Sequence, residues 1–411
     1  MSIFTDFLYL IFAALSAPWW ARKVRHGWSE RFGGVQTLPA KQRPRLLIHA
    51  VSVGEVNLIR GLVDQLSKKI EVVVSVTTDT GTARATTLFA DTPGVDVVRY
   101  PLDLSWSVRR FLNAVEPDAA ALVELELWPN FARACKKRHL PLAIINGRLS
   151  ARSVGRYRRI KPILGRWFGS LAFCAVQDEA YRERFISIGV PEDRCCVVGT
   201  MKWDSALTDD QTDAAKALAS ELGIDRSKKL IVAGSTEPCE HALLHRATPD
   251  GVQLLCAPRR PEWRDAAALD LPGCVRRSAG APGKQPGADR FLLDTIGELR
   301  TAYDLADIAV VGRSFGELYG SDPMEPAALG KPIVIGPKVA DFKSMVETLR
   351  DAGALIQATR DELPGVLRDL IEDDARRTAM GDAARQCVLK NQGATDRHAT
   401  LLLEKAFGIR Q

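Results

Sequence analysis

Residues 310–337 read VVGRSFGELYGSDPMEPAALGKPIVIGP. Two short apolar runs at its ends, 308–311 and 332–335, have the length and β-branched content of buried parallel strands. Between them come a glycine-containing loop and MEPAALG, which reads as a helix opening with an acid and closing at Gly330. Glycine lets the backbone approach a ligand, and a helix start offers unpaired N–H groups to a phosphate. Glu325, beside that start, could accept from ribose hydroxyls. The stretch reads as a nucleotide pocket or as a plain βαβ crossover with ordinary turn residues. Both readings make the fold α/β.

The same rhythm runs outward through the chain. Strand-like runs at 45–51, 71–77, 95–100, 119–124, 142–146 and 171–177 alternate with helical segments. After a polar connection, a second series begins at 229–233 and continues through 252–257, 309–311 and 332–335. Repeated crossovers of this kind predict doubly wound α/β domains, with ligands gathered beyond the carboxyl ends of the strands. At 411 residues the chain exceeds one cooperative core, so two domains are expected.

Composition narrows the classes. Apolar residues make up 46% and charged residues 26%, as in a globular protein, and the formal charge is +6. That charge fits an anionic small substrate or an anionic membrane surface as well as nucleic acid. No arginine–aromatic repeat or zinc-finger spacing supports nucleic acid, which is not expected as a partner. The eight cysteines are scattered without a C-x-x-C pair, as expected of reduced thiols in a cytosolic compartment. Residues 4–18 are largely apolar, Trp19 and Trp20 follow, and Arg22, Lys23, Arg25 and His26 come next. The run is short for a span of about 20 residues. Tryptophans followed by basic groups suit the interface of an anionic leaflet, so an interfacial anchor is expected. A single span and a soluble packing helix are the alternatives.

Polar residues fall where such a fold places its sites. Ser52, Gly54 and Glu55 follow the first strand, Thr80 and Gly81 the second, Glu124 and Glu126 a later one, and Arg148 and Ser150 the next. Glu55 reads as a general base tuned by desolvation, or as a capping acid at a helix start. Arg148, Arg152, Arg156, Arg158, Arg159 and Lys161 form the densest basic segment, suited to phosphate or carboxylate recognition or else a solvated face. In the second half, Gly234, Ser235 and Thr236 follow a strand, and Arg259 and Arg260 follow the next. Backbone donors and Ser235 could hold a phosphate, with Arg259 neutralising it. None of this is a Walker loop or a dinucleotide fingerprint. His49, alone at a strand end, reads as structural. His241 and His245 lack the HExxH pattern, and no metal site is expected.

Together these segments resemble the 3-deoxy-D-manno-octulosonic acid (Kdo) transferase family of lipopolysaccharide inner-core biosynthesis. The resemblance rests on HAVSVGEVN (49–57), TTDTGTARA (77–85), YPLD (100–103), ELELWPN (124–130), INGRLSARS (145–153), QDEAYRERFISIG (177–189), VVGTMKWD (197–204), AGST (233–236), APRRPEWR (257–264), DTIGELRTAYDLADIAVVGRSF (294–315) and MEPAALGKPIVIGP (324–337). It covers nearly the whole chain. It implies a GT-B fold, two Rossmann-like domains facing across a cleft, with an N-terminal hydrophobic helix. The expected division is a membrane-associated segment 1–26, an acceptor-binding domain 40–205, a linker 206–225, a donor-binding domain 226–385, and a C-terminal helix 386–411 packing back toward the first domain.

The activity it implies is metal-independent, inverting transfer of Kdo from CMP-Kdo to a lipid A precursor, without a cofactor, at the cytoplasmic face of the inner membrane. Glu55 would be the base. Ser52, Gly54, Thr80, Gly81, Glu126, Arg148 and Ser150 would line the acceptor side. Ser235, Thr236, Arg259, Arg260, Gly312, Arg313, Ser314, Phe315 and Glu325 would face the donor. The family usually has APRHPER where Arg260 stands here, glycine at Arg313, and His-Asn at Ser321 and Asp322. A related transferase using another nucleotide sugar and a lipid or envelope-glycan acceptor is the alternative. A catalytically degenerate membrane-associated scaffold is the second, against which the intact SVGE stretch argues.

Overall fold

The structure is a computed structural model that describes residues 6, 9, 26–209, 212–280 and 287–409. The chain folds as two compact units, Met1–Ser205 together with Gln392–Gln411, and Ala206–Asn391. Apart from Asp6, Tyr9 and His26, the expected membrane-associated segment and its hydrophobic helix lie outside the described residues. Among the described residues no helix is long and apolar enough to cross a membrane.

The first unit holds strands β1 (Arg45–Ala50), β2 (Glu71–Val76), β3 (Val95–Arg99), β4 (Ala119–Val123), β5 (Leu142–Gly147), β6 (Phe173–Val176) and β7 (Cys195–Val197). They form one parallel sheet in the order β3-β2-β1-β4-β5-β6-β7. RLLIHA, EVVVSV and AAALV are apolar at nearly every position because helices cover both faces of such a sheet. Leu47, Val73, Ala120 and Ile144 point into one core, and Leu46, Ile48, Val72 and Val74 into the other. Each large side chain so buried contributes about 1.5–3 kcal/mol. The second core is completed by the helix Ala394–Phe407, whose Ala399, Leu402 and Leu403 are buried there.

The second unit repeats the plan with β8 (Leu230–Thr236), β9 (Gln253–Pro258), β10 (Val275–Arg276), β11 (Arg290–Leu292), β12 (Ile308–Val311), β13 (Ile333–Ile335) and β14 (Leu355–Gln357). Their order is β10-β11-β9-β8-β12-β13-β14, again parallel throughout. The stretch 206–225, expected as a linker, contains the helix Thr212–Leu222, whose Leu218 and Leu222 share a core with Phe291 and Tyr303. That helix is integral to the second unit. The helix Asp374–Asn391 also belongs to this unit, so the return to the first unit falls at 391/392.

The strand order switches sides between β1 and β4 in the first sheet and between β8 and β12 in the second, where β11 is also inserted between β9 and β10. Open α/β sheets bind ligands outside the carboxyl ends of the strands at such a switch point.

Candidate functional site

In the first unit, β1 runs directly into Ser52, which caps the helix Val53–Leu58. The Glu55 carboxylate turns back onto this start. It accepts the Val51 N–H at 2.8 Å and the Ser52 hydroxyl at 3.1 Å. These bonds fit the capping reading of Glu55 and hold its carboxylate at the switch point of the sheet. Burial pushes its pKa up to about 7; the Val51 amide and Ser52 hydroxyl oppose this, and the carboxylates of Glu124 and Glu126 reinforce it. A carboxylate tuned this way is half-ionised near neutrality and suits proton abstraction.

Glu124 and Glu126 leave the neighbouring β4. Glu124 has φ 60°, a left-handed conformation that costs a non-glycine residue of order 1 kcal/mol. Glu126 accepts the Trp128 indole N–H at 3.1 Å, and its pKa is raised by burial and by Glu124. The loop is held from below by Asp103, which accepts the N–H groups of Asn130 and Phe131 at 2.9 and 2.8 Å. Burial pushes Asp103 up to about 7 against those amides and the Tyr9 hydroxyl, and Asp6 adds to the rise. Thus YPLD and ELELWPN form one local structure, although sequence reading assigned Asp103 no part in it.

The other expected acceptor residues divide. Gly54, Thr80, Arg148 and Ser150 are exposed. Ser150 caps the helix Ala151–Arg159 by accepting the Ser153 N–H at 3.1 Å. Gly81 is a correction: it is buried, and an added Cβ would meet Thr78 Oγ1 at 2.6 Å and Val76 Cγ1 at 2.8 Å. Its part is close packing of the helix Asp79–Phe89 beneath the Ser52 turn. His49 is fully buried, stacked on Tyr100 with 3.6 Å between centroids, and donates through Nδ1 to the Ser75 carbonyl. Burial pushes it down to about 3, so it stays neutral. Asn146, which sequence reading passed over, has φ 51° and donates its N–H to His398 Nε2 at 2.9 Å.

In the second unit, Ser235 (φ 55°) is the penultimate residue of β8, lies at a register shift and is half-buried. Arg259 and Arg260 are exposed beyond β9, and the Arg260 guanidinium lies over the Trp263 ring. Glu325 is exposed at the helix Met324–Ala328. Although it reaches solvent, the protein around its carboxylate raises its pKa, Asp322 adds to the rise, and Arg300 and Arg259 oppose it. Arg300, unmarked by sequence reading, therefore belongs with Arg259 and Glu325.

Several expected donor contacts are corrected. Thr236 is fully buried, with its hydroxyl 2.8 Å from His241 Nε2. Ser314 is fully buried, donating to the Val311 carbonyl and accepting the Gly336 N–H, and Phe315 packs in the core. Gly312 is required by packing, since a Cβ would meet Thr236 Cα at 2.6 Å. The loop's N–H groups are not free for a phosphate. Those of Arg313, Ser314 and Phe315 are donated to the Glu240 carboxylate at 2.9, 2.9 and 3.0 Å. The Met324 N–H, expected at an open helix start, goes to Asp322 Oδ1 at 2.9 Å. Glu240 escaped sequence reading, yet E-P-C-E has proline at the first helical position and an acid two residues later, the pattern of a capping box.

Among the described residues no cluster of His, Cys, Asp and Glu is arranged to hold a metal ion. Residues 26–205 match the family described as 3-Deoxy-D-manno-octulosonic-acid transferase (kdotransferase). The 3-deoxy-D-manno-octulosonic acid transferase of Haemophilus influenzae is 30% identical over 397 residues, 92% of this chain and 91% of its own. That of Bordetella pertussis is 32% identical over 378 residues, 87% of each chain. Among solved structures, Anabaena HepE in complex with UDP shares the fold, with a TM-score of 0.58 at 14% identity, covering 87% of this chain and 99% of that one.

Proposed function

The chain belongs to the 3-deoxy-D-manno-octulosonic acid transferase family, and from that membership we propose inverting transfer of Kdo from CMP-Kdo to a lipid A precursor. It is an enzyme of the glycosyltransferase class. The observation that carries the mechanism is the Glu55 carboxylate, held at the end of β1 by Val51 and Ser52 with a pKa of about 7.

The acceptor hydroxyl oxygen attacks the anomeric carbon of Kdo from the face opposite the phosphate. Its proton passes to Glu55 as the bond from the anomeric carbon to the phosphate oxygen breaks. CMP departs with the bonding pair, and one displacement inverts the centre. Proton removal by a positioned carboxylate contributes typically about 10²–10⁴-fold. The developing charge on CMP is met by Arg259 and the Ser235 hydroxyl, and Glu325 accepts from the ribose. Glu126, Arg148 and Ser150 receive the acceptor, whose phosphate and sugar groups suit the exposed basic face of the helix Ala151–Arg159. Residues 1–26, apolar and then basic, would hold the enzyme at the cytoplasmic face of an anionic inner membrane.

Incubation of the purified full chain with CMP-Kdo and a lipid A precursor tests this reading. A Kdo-bearing lipid with release of CMP is expected. A folded, CMP-binding protein that forms no such product would sink the substrate assignment.

A further inference from the structure

We propose that Glu240 is a specificity-determining residue: its carboxylate occupies the anion position of the donor loops and restricts them to nucleotides with a single phosphate. This rests on reading the second unit as the donor site. Loops at the switch point of a parallel sheet hold phosphates through converging backbone N–H groups. Here two such loops meet, the start of the helix Pro238–Ala247 after β8 and residues 312–315 after β12. Their amides converge on a side chain of the protein itself. Glu240 Oε2 accepts from Glu237 and Arg313, both at 2.9 Å, and Oε1 from Ser314 at 2.9 Å and Phe315 at 3.0 Å.

Glu240 is fully buried, and all these contacts are received rather than donated, as a carboxylate requires. The backbone closes directly over it, since a Cβ on Gly312 would meet Oε2 at 2.8 Å. The neighbouring Glu237 is itself buried, and its Oε1 has no hydrogen-bond partner among the described residues. An additional phosphate approaching this loop would find its amide donors already engaged and two carboxylates beneath it. Like charges in a low-dielectric setting repel strongly. Outside this arrangement the donors to an anion are side chains, the half-buried Ser235 and the exposed Arg259 and Arg260, rather than converging amides.

The test is calorimetric titration of the full chain with CMP and with CDP in the same buffer. CMP is expected to bind more tightly by about tenfold or more, despite the higher charge of CDP. In Glu240→Gln, which keeps the shape and removes the charge, that ratio should fall several-fold toward unity. In Glu240→Asp, which keeps the charge, the preference for CMP should persist. Wild-type binding of CDP as tight as that of CMP overturns the inference without any variant. So does an unchanged ratio in folded Glu240→Gln. Binding of CMP without discrimination defeats this inference alone, whereas binding of neither nucleotide defeats the donor-site reading with it.

Discussion

At the scale of single residues, the proposed chemistry rests on Glu55, whose charge is set by burial and by its neighbours. Glu55→Gln should lower kcat by about 10²–10⁴-fold with CMP affinity unchanged. The wild-type rate should rise with pH and level off above about 7, the value to which burial pushes this carboxyl. The stability consequence has the opposite sign. The folded pKa lies above the free value of about 4.3, so between the two the native state holds a proton that the unfolded chain has released. The associated stability is present at low pH and is lost as pH rises toward 7. Glu55→Gln should therefore be more stable than wild type near pH 8 by about 1–2 kcal/mol after solvent screening, with the advantage vanishing near pH 4. Urea unfolding at both pH values measures this. Glu55 was legible because a glycine turn between a strand and a helix puts its acid at the strand's carboxyl end. Glu240 was not, because three of its amide partners lie 73, 74 and 75 residues further along the chain.

At the scale of elements, the long apolar strands announced themselves, and of those with three residues or fewer only β13 did. The other four, β7, β10, β11 and β14, went unread, and β7, β10 and β14 are partly exposed. A run that short carries no periodicity, and only pairing with a neighbour makes it a strand. The helix Ala394–Phe407 shows the same dependence. Its N-cap is Gly393, which offers no side chain, so Asp204 caps it from elsewhere. Asp204 accepts the Gly393 and Thr395 N–H groups at 2.6 and 2.5 Å. Asp204→Ala should cost about 1–2 kcal/mol in denaturant unfolding. The same helix is latched by His398, whose Nδ1–H donates to the Ala394 carbonyl while Nε2 accepts from Asn146. Burial pushes His398 down to about 4. The unfolded imidazole, near 6.5, binds its proton first as pH falls, so the latch is intact above about 6.5 and is lost toward 4. The penalty of His398→Gln, read as a difference in melting temperature from wild type, should shrink across that window.

At the scale of the whole molecule, two similar sheets are built from one chain that returns to its first unit at the end. Residues 392–411 follow the second unit in sequence but bury Leu402 and Leu403 in the first. Deleting them should destabilise the first unit by at least about 3 kcal/mol. Hydrogen exchange should then rise in β1, β2 and β4 while β8, β9 and β12 stay protected; equal loss in both sheets would reject this division of labour. The amino-acid sequence by itself determined the α/β alternation, the two-series plan and the polar residues at the carboxyl ends of strands. Those follow from local periodicity, which neighbouring residues carry. Which of those residues face a ligand was decided only by tertiary structure. Thr236, Ser314 and Phe315 stand at strand ends like Ser235, yet packing buries them. The amides beside them look free in sequence until a distant carboxylate folds against them, and a hydrogen bond depends on distance in space rather than separation along the chain.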